Sequence, residues 1–403
     1  MDACYIVEAH RSPRGIGKPT GALHRITSVS LLSQLLDSVV SAHPTVPPAI
    51  EEVITGCVMP VGEQGANIAR SAILASSLPI HVPGMQINRF CSSGLDAMNL
   101  LSHKIIAGQA DLGIASGVEC MSRVPILADG GALVGDPSIA YQHNIIPQGI
   151  SADLIATLNG YTRENLDEYA VLSQQRASQA MKKGYLKSIQ PVYSPSGSIA
   201  LAIDEHPRPD TTLKALSALK PSFEMMGALA GYDDLAIFRY PQLAQIQHLH
   251  HAGNASGIVD GAAAILLANQ KAIKEHNLTP KARIVATAQI GIDPTIMLTG
   301  PEEAIKLALK RAKLSKSQID LWEINEAFAS VVLHITEKLS LPLDKVNVNG
   351  GAIAYGHPLG ATGAMLVGTL VDELIRSNKQ FGAIALCTAA GMASCTIIES
   401  VSK

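Results

Sequence analysis

The chain has 403 residues, more than one ordinary hydrophobic core holds, so two or three domains or a large duplicated one are expected. Hydrophobic residues make up 47% and charged residues only 16%, while aromatics are 4%, which favours close helix–sheet packing in an α/β enzyme over an aromatic binding groove. The net charge of −3, with no long basic run, leaves no electrostatic footprint for nucleic acid.

The N-terminus, MDACYIVEAHRSPRG, is acidic at residue two and has no long apolar core, so it does not read as a signal peptide. CYIVEAHR is a strand candidate, residues 27–42 (TSVSLLSQLLDSVVSA) a helix and EEVITGCVMP a second strand. ANIARSAILASS reads as a helix and GMQINRF as a strand. In NRFCSSGLDAMNLLSHKII, Leu95, Met98, Leu101 and Ile105 recur at helical spacing, which puts Cys91 just before a helix start. DLGIASGVE follows as a strand.

Residues 123–255 differ: they hold the charged amphipathic stretch RENLDEYAVLSQQRASQAMKKGYL and Pro-rich polar loops such as PVYSPSGS and EHPRPDTT. They read as an inserted loop domain on the surface of the first α/β unit. After HAGNASGIVDGAAAILLAN the α/β pattern resumes. The expected division is therefore 1–122, resuming at about 256–275, then the insertion 123–255 and a second half at 276–403. A faint internal repeat supports two similar halves: CSSG opens a helix that leads to DLGIASGVE, and GATG opens a helix that leads to FGAIALCTAAG. Residues 346–371 and 381–398 lack charge over a membrane-span length, but their Gly, Ala, Ser and Thr content points to a tightly packed helix and a buried strand–turn–strand, with no membrane insertion.

Six cysteines, at 4, 57, 91, 120, 387 and 395, form no CxxC pair, so no zinc site or disulfide framework is expected. Reduced thiols in a cytoplasm are the simplest reading. HLHH (248–251) lacks the i, i+4 spacing of a helical metal pair and an adjacent acidic cluster, so no metal is expected there. Four segments carry possible chemistry: Cys91 in NRFCSSG, Asn325 in NEAFAS, His357 in GHPLGATG and Cys387 in CTAAGM. Singly each has an ordinary reading, with Asn325 a helix cap and Cys387 a core strand residue. Glu326 reads as structural. Together, two cysteines and a histidine on Gly-rich turns make an acid–base and nucleophile set.

That combination, with VEAHRSPRG, AGNASGIVDGAA, NEAFA, GGAIAYGHPLGATGA and CTAAGM in this order, resembles the thiolase family of acetyl-CoA acetyltransferases and 3-ketoacyl-CoA thiolases. The resemblance implies a five-layered α-β-α-β-α fold of two similar halves, assembled as a homodimer or homotetramer. It implies coenzyme A and acyl-CoA as substrates, no tightly bound cofactor and a β-oxidation multienzyme as partner. Cys91 would attack the β-carbonyl of a 3-ketoacyl-CoA, its pKa lowered by the helix N-terminus and a nearby histidine. His357 would take its proton, and Cys387 would protonate the departing carbanion and then deprotonate the incoming CoA thiol. By the same resemblance, Asn325 holds a water that completes one oxyanion hole with His357, and the N–H groups of Cys91 and Ala389 form the second. Ser256 would lie near the pantetheine and Arg208 at the nucleotide end.

The chain departs from the family at two places. After Cys387 and Thr388, Ala389-Ala390-Gly391 stands where many members have three glycines before the methionine, a change alanine tolerates only where the backbone avoids the glycine region. Pro147 and Gln148 stand where biosynthetic members have His-Met, a pattern closer to degradative members acting on larger acyl or steroid side chains. A decarboxylating ketosynthase of the same fold pairs one cysteine with two histidines, or His and Asn, and the retained Cys387 argues against it. A non-catalytic lipid carrier or complex subunit is expected to lose a catalytic residue, and none is lost.

Overall fold

The structure, a computed structural model, describes residues 3–401. In chain order its main elements are β1 (Tyr5–Arg11), α1 (Ser28–Val40), β2 (Val53–Gly56), α2 (Ile68–Leu74), β3 (Gly84–Ile87), α3 (Ser93–Ile106) and β4 (Leu112–Cys120). There follow α4 (Gln148–Asn159), α5 (Arg163–Lys183), β5 (Val259–Ala268), β6 (Ala282–Gly291), α6 (Pro301–Ala312) and β7 (Leu321–Ile324). The chain closes with α7 (Ala329–Leu339), α8 (Leu359–Arg376), β8 (Phe381–Thr388) and β9 (Met392–Ser400).

The strands run in the order β7-β8-β9-β6-β1-β5-β4-β2-β3, with a two-residue strand, Gly15–Ile16, added to β5. This is two sheets joined edge to edge, where Tyr5 and Ile6 of β1 face Arg283 and Ala282 of β6. The first half pairs β2 in parallel with β3 and β4, then turns antiparallel at β5 and β1. The second pairs β7 with β8 in parallel and β9 antiparallel to both β8 and β6.

Alternation along the strands assigns the layers. In β8, Ile384 and Leu386 join the cluster that holds Leu95, Met98 and Leu101 of α3 and Met365, Val367 and Leu370 of α8. Ala383 and Ala385 join the opposite cluster, with Ala304, Ile305 and Ala308 of α6 and Val332 and Ile335 of α7. On the far face of the first sheet, Leu31, Leu32, Leu35 and Leu36 of α1 pack on Val53, Ile114 and Leu266. The layers are thus α1/α2, first sheet, α3/α8, second sheet, α6/α7: the expected five-layered α-β-α-β-α fold.

The two charge-free segments resolve into α8, buried along nearly its whole length, and the β8–β9 hairpin. Among the described residues no helix is long and apolar enough to cross a membrane. Residues 123–255 differ from expectation in where they rest. A short hairpin, Val192–Tyr193 with Ile199–Leu201, sits on the first half, but α4 and α5 pack against the second. Tyr169 and Ser173 of α5 both donate hydroxyl hydrogen bonds to Glu326, at 2.7 Å each, which anchors α5 there. The NEAFAS segment also differs. Asn325 caps no helix; its N–H donates to Ala385 O and extends the β7–β8 pairing, and α7 starts only after Phe328. A sheet partner competes successfully with local capping here, because it satisfies the same backbone donor within a buried ladder.

Candidate active site

The site forms where the N-termini of α3 and α8 cross. A Cβ on Gly94 would lie 2.6 Å from Gly360 O, and one on Gly363 would lie 2.4 Å from Leu95 N, so only glycine allows this backbone approach. Cys91 lies three residues before Gly94, and His357 three before Gly360. The crossing therefore brings the two turns together, one from each half. Cys91 and His357 are each 4% exposed, and Cys387 and Asn325 each 1%. Asn325 Nδ2 lies 3.3 Å from His357 Nε2. Cys387, at the end of β8, is close enough to Cys91 for the Cys91 charge to oppose ionisation of Cys387.

A tight turn presents Cys91. Phe90 adopts a left-handed φ of 44°, and Ser93 Oγ accepts the Arg89 N–H at 2.8 Å while donating to Phe90 O at 2.6 Å. The helix then begins behind the sulfur, with Ser92 in the cap position.

Thr362 settles which nitrogen of His357 carries the proton. Its hydroxyl donates to Pro358 O at 3.0 Å, so at 2.6 Å it accepts from His357 Nδ1–H. Nε2 is left with its lone pair toward Asn325, which turns the amide N–H to it. Asn325 Oδ1 is then buried without a hydrogen-bond partner among the described residues, a free acceptor beside the imidazole.

Burial, and then the Arg14 cation, hold His357 down to about 3. Burial pushes Cys91 up to about 12; its own N–H and the Gln148 amide pull the other way, and Glu119 adds to the rise. This corrects the expectation of a lowered thiol pKa: removal from water, which disfavours the charged thiolate, is the largest influence on Cys91 in so closed a site. Cys387 is likewise raised by burial and by Cys91. The resting site is a neutral thiol beside a neutral imidazole. Such a pair passes its proton during attack, when the charge that forms is consumed by bond making.

The main-chain N–H groups of Cys91 and Ala389 make no turn or loop hydrogen bond to a carbonyl among the described residues. The turn that carries Ala389 keeps that residue out of the left-handed region but forces Ala390 to φ 58° and Gly391 to φ 73°. The glycine-type conformation thus falls on an alanine, at a cost of about 1–2 kcal/mol.

Beside Cys387 stands an apolar wall of Ala152, Ile155, Met297, Leu298, Ala327 and Phe328. Phe223 closes onto it, edge to Phe328 at 5.9 Å between ring centroids. Ser256 reaches this neighbourhood: its N–H donates to Ala327 O at 2.9 Å, and its hydroxyl makes no hydrogen bond to another described residue. Arg208 is exposed and held only through its backbone, by Gln174 and Thr211. It does not meet the buried group, but His206, two residues earlier, donates its Nδ1–H to Ala354 O in the turn before His357. Glu326 accepts from Tyr169, Ser173, Asn347 and the Ile353 N–H, which makes it a structural hub under that turn. In HLHH, His248 and His250 pair with Asp153, and His251 pairs with Asp167.

Three participants have contacts that the sequence does not reveal. Thr362 orients the imidazole. Glu119, fully buried, collects N–H groups from Val58, Met59 and Gly360 and so ties the α8 N-terminus to the first half. Gln148 stands out in the sequence only as a departure from the family pattern; its influence on the Cys91 thiol follows from folding. A threonine five residues after the histidine was the one legible signal.

Residues 4–233 match the thiolase N-terminal domain family and residues 278–400 the thiolase C-terminal domain family. The chain is 37% identical to a beta-ketoadipyl-CoA thiolase of Acinetobacter baylyi, across 100% of both chains. It superposes on human mitochondrial 3-ketoacyl-CoA thiolase in complex with CoA with a TM-score of 0.85 at 33% identity, covering 100% of this chain and 98% of that one. It superposes on the dimeric peroxisomal thiolase of Saccharomyces cerevisiae with a TM-score of 0.86 at 35% identity, covering 99% and 97%.

Proposed function

Because the chain belongs to the thiolase family, we propose that it works through a Cys91 thioester, with His357, Cys387 and Asn325 as its partners. The protein is an acyltransferase that cleaves 3-ketoacyl-CoA with CoA into acetyl-CoA and a shortened acyl-CoA, the condensation of two acetyl-CoA being the reverse reaction. Coenzyme A thioesters are its substrates.

In the proposed mechanism the Cys91 thiol gives its proton to His357 Nε2 as sulfur attacks the β-carbonyl. The bond between the α and β carbons then breaks, and the Cys387 thiol protonates the acetyl-CoA carbanion. The resulting Cys387 thiolate deprotonates incoming CoA, whose sulfur takes the acyl group, and the departing Cys91 sulfur takes its proton back from His357 Nε2. The N–H groups of Cys91 and Ala389 face one oxyanion; His357 and a water on Asn325 Oδ1 face the other. The observation that carries this reading is the convergence of Cys91 and His357 at the Gly94–Gly360 crossing, with Asn325 3.3 Å from the imidazole. Ser256, with its free hydroxyl, is assigned to the pantetheine and Arg208, on the exposed rim, to the nucleotide end.

The domain division at 1–122, 123–255 and 276–403, with the first half resuming at 256–275, belongs to the same proposal. Its support is that β5 completes the first sheet and β6 opens the second. We also propose a homodimer, able to pair further into a tetramer, in a reducing cytoplasm where all six buried cysteines stay free.

Incubation with acetyl-CoA is expected to add an acetyl group, about 42 Da by acyl transfer to sulfur, on the Cys91 peptide. Thiolysis of acetoacetyl-CoA and of longer 3-ketoacyl-CoAs is expected to vanish in Cys91→Ala and Cys387→Ala. Full activity in both variants would overturn the assignment.

A further inference from the structure

His206 comes from the inserted region and ends against the catalytic turn. Its Nδ1 lies 2.7 Å from Ala354 O, and a carbonyl oxygen only accepts, so Nδ1 carries the proton. Ala354 belongs to the short helix Ala352–Tyr355, which ends two residues before His357. The other edge of the ring stands against Gly257. A Cβ there would lie 2.1 Å from His206 Nε2 and 2.5 Å from Cε1. The φ of Gly257 is not left-handed, so its backbone conformation does not demand glycine; the ring does.

Gly257 is itself clasped by the catalytic segment. Its carbonyl accepts the His357 N–H at 2.8 Å, and its N–H donates to Ala352 O at 3.4 Å. The loop that carries Ser256 and the turn that carries His357 therefore share a main-chain clasp, and His206 touches both sides of it. The segment behind the ring is braced on the first half. Asp204 accepts two N–H groups of the Arg11 guanidinium and the Arg14 main-chain N–H, all at 2.8 Å. Glu205 accepts the Ile16 N–H at 2.8 Å, and its own N–H donates to Arg14 O at 3.0 Å. The ring is thus a fixed strut from the first half to a turn of the second.

We infer that His206 is a positioning residue for His357: wedged between Gly257 and Ala354, its imidazole fixes the main chain from which the catalytic imidazole projects. The inference rests on the reading of His357 as the group that takes the Cys91 proton. Thr362 selects the nitrogen that stays basic, whereas His206 sets where that ring begins. Such placement matters because a shift of about 1 Å in a reacting group costs up to about a hundredfold in rate.

The test uses the full-length chain, each variant being assayed below its own unfolding midpoint. His206→Ala removes both ring and donor. His206→Asn keeps a donor nitrogen on Cγ, where Nδ1 stands. Gly257→Ala pushes the ring away and opens the same contact from the other side. Thiolysis kcat is expected to fall about tenfold in His206→Ala and in Gly257→Ala, with KM for CoA unchanged in His206→Ala. His206→Asn is expected to recover most of that loss. The double variant is expected to be no worse than His206→Ala, because the added methyl then meets no ring. Losses that multiply to about a hundredfold in the double variant would overturn the inference. So would His206→Asn no better than His206→Ala, or a raised KM with intact kcat in His206→Ala, which would make the residue a CoA contact. Acetyl-CoA is expected to label Cys91 about tenfold more slowly in His206→Ala, to the same final extent. A label absent from Cys91 in the wild type removes the proposed mechanism, whereas labelling of His206→Ala at the wild-type rate removes only the role of His206.

Discussion

Thr362 has no reactive chemistry of its own, yet it decides what His357 can do. Its only proton goes to Pro358 O, so it must accept from Nδ1–H, and Nε2 stays basic. Thr362→Val keeps the shape but leaves Nδ1 without that acceptor. A loss of about tenfold in thiolysis kcat is expected, matching one hydrogen bond of about 1.4 kcal/mol, together with a lowered unfolding midpoint from the unsatisfied buried N–H. Equal kcat in the variant would remove the tautomer assignment. Ala390 poses the opposite case, since its φ of 58° suits glycine. Ala390→Gly relieves the clash but frees the unfolded chain, so a net gain of about 0.5–1 kcal/mol in denaturant unfolding is expected. A destabilised variant would show that the turn is unstrained. The motifs announced the residues at this scale; their protonation states depended on burial, which no local spacing encodes.

At the scale of elements, α4 is tied to the helix Tyr232–Arg239 by His248. Its Nδ1 lies 2.9 Å from Asp153, on α4, and its Nε2 lies 3.0 Å from Asp233. The two carboxylates raise His248 from 6.5 to about 9, mainly through Asp153. A raised folded-state pKa contributes stability that is complete below 6.5 and disappears as pH climbs through 9. Relative to the intrinsic rise of exchange with pH, amide protection in residues 232–239 is therefore expected to fall between pH 7 and 9.5 in wild type but not in His248→Gln. Identical pH dependence in both proteins would rule out this clamp. HLHH invited a metal reading in the sequence, and its spacing argued against one. What the three imidazoles do became clear only when Asp153 and Asp167, about 80 to 100 residues away in sequence, were placed against them.

For the whole molecule, the edge of the first sheet is the exposed feature that bears on assembly. Strand β3 ends the strand order and is unpaired on its outer side among the described residues, and Met85 within it is 41% exposed. Leu74 and Ile80, in the helix and loop leading to it, are 58% and 78% exposed. An open edge with apolar neighbours is a template for pairing with a second copy, and a solved relative is dimeric. Met85→Asp is expected to shift the protein toward a monomer in light scattering at micromolar concentration. An unchanged mass would place the contact elsewhere.

Local pattern was enough to set the class of this protein. Period-two and period-3.6 stretches marked most of the strands and helices, the Cys91, His357 and Cys387 motifs named an acyl-transfer set, and the glycines flagged close approach. Packing decided the rest. Asn325 left its expected cap for a sheet ladder, the inserted region settled partly on the second half, and the expected low-pKa thiol became a neutral one. Each of these outcomes depends on which distant groups replace water around a residue. A motif specifies the reacting atoms, whereas their charge and partners follow from desolvation and contacts that exist only once both halves have closed around the α3–α8 crossing.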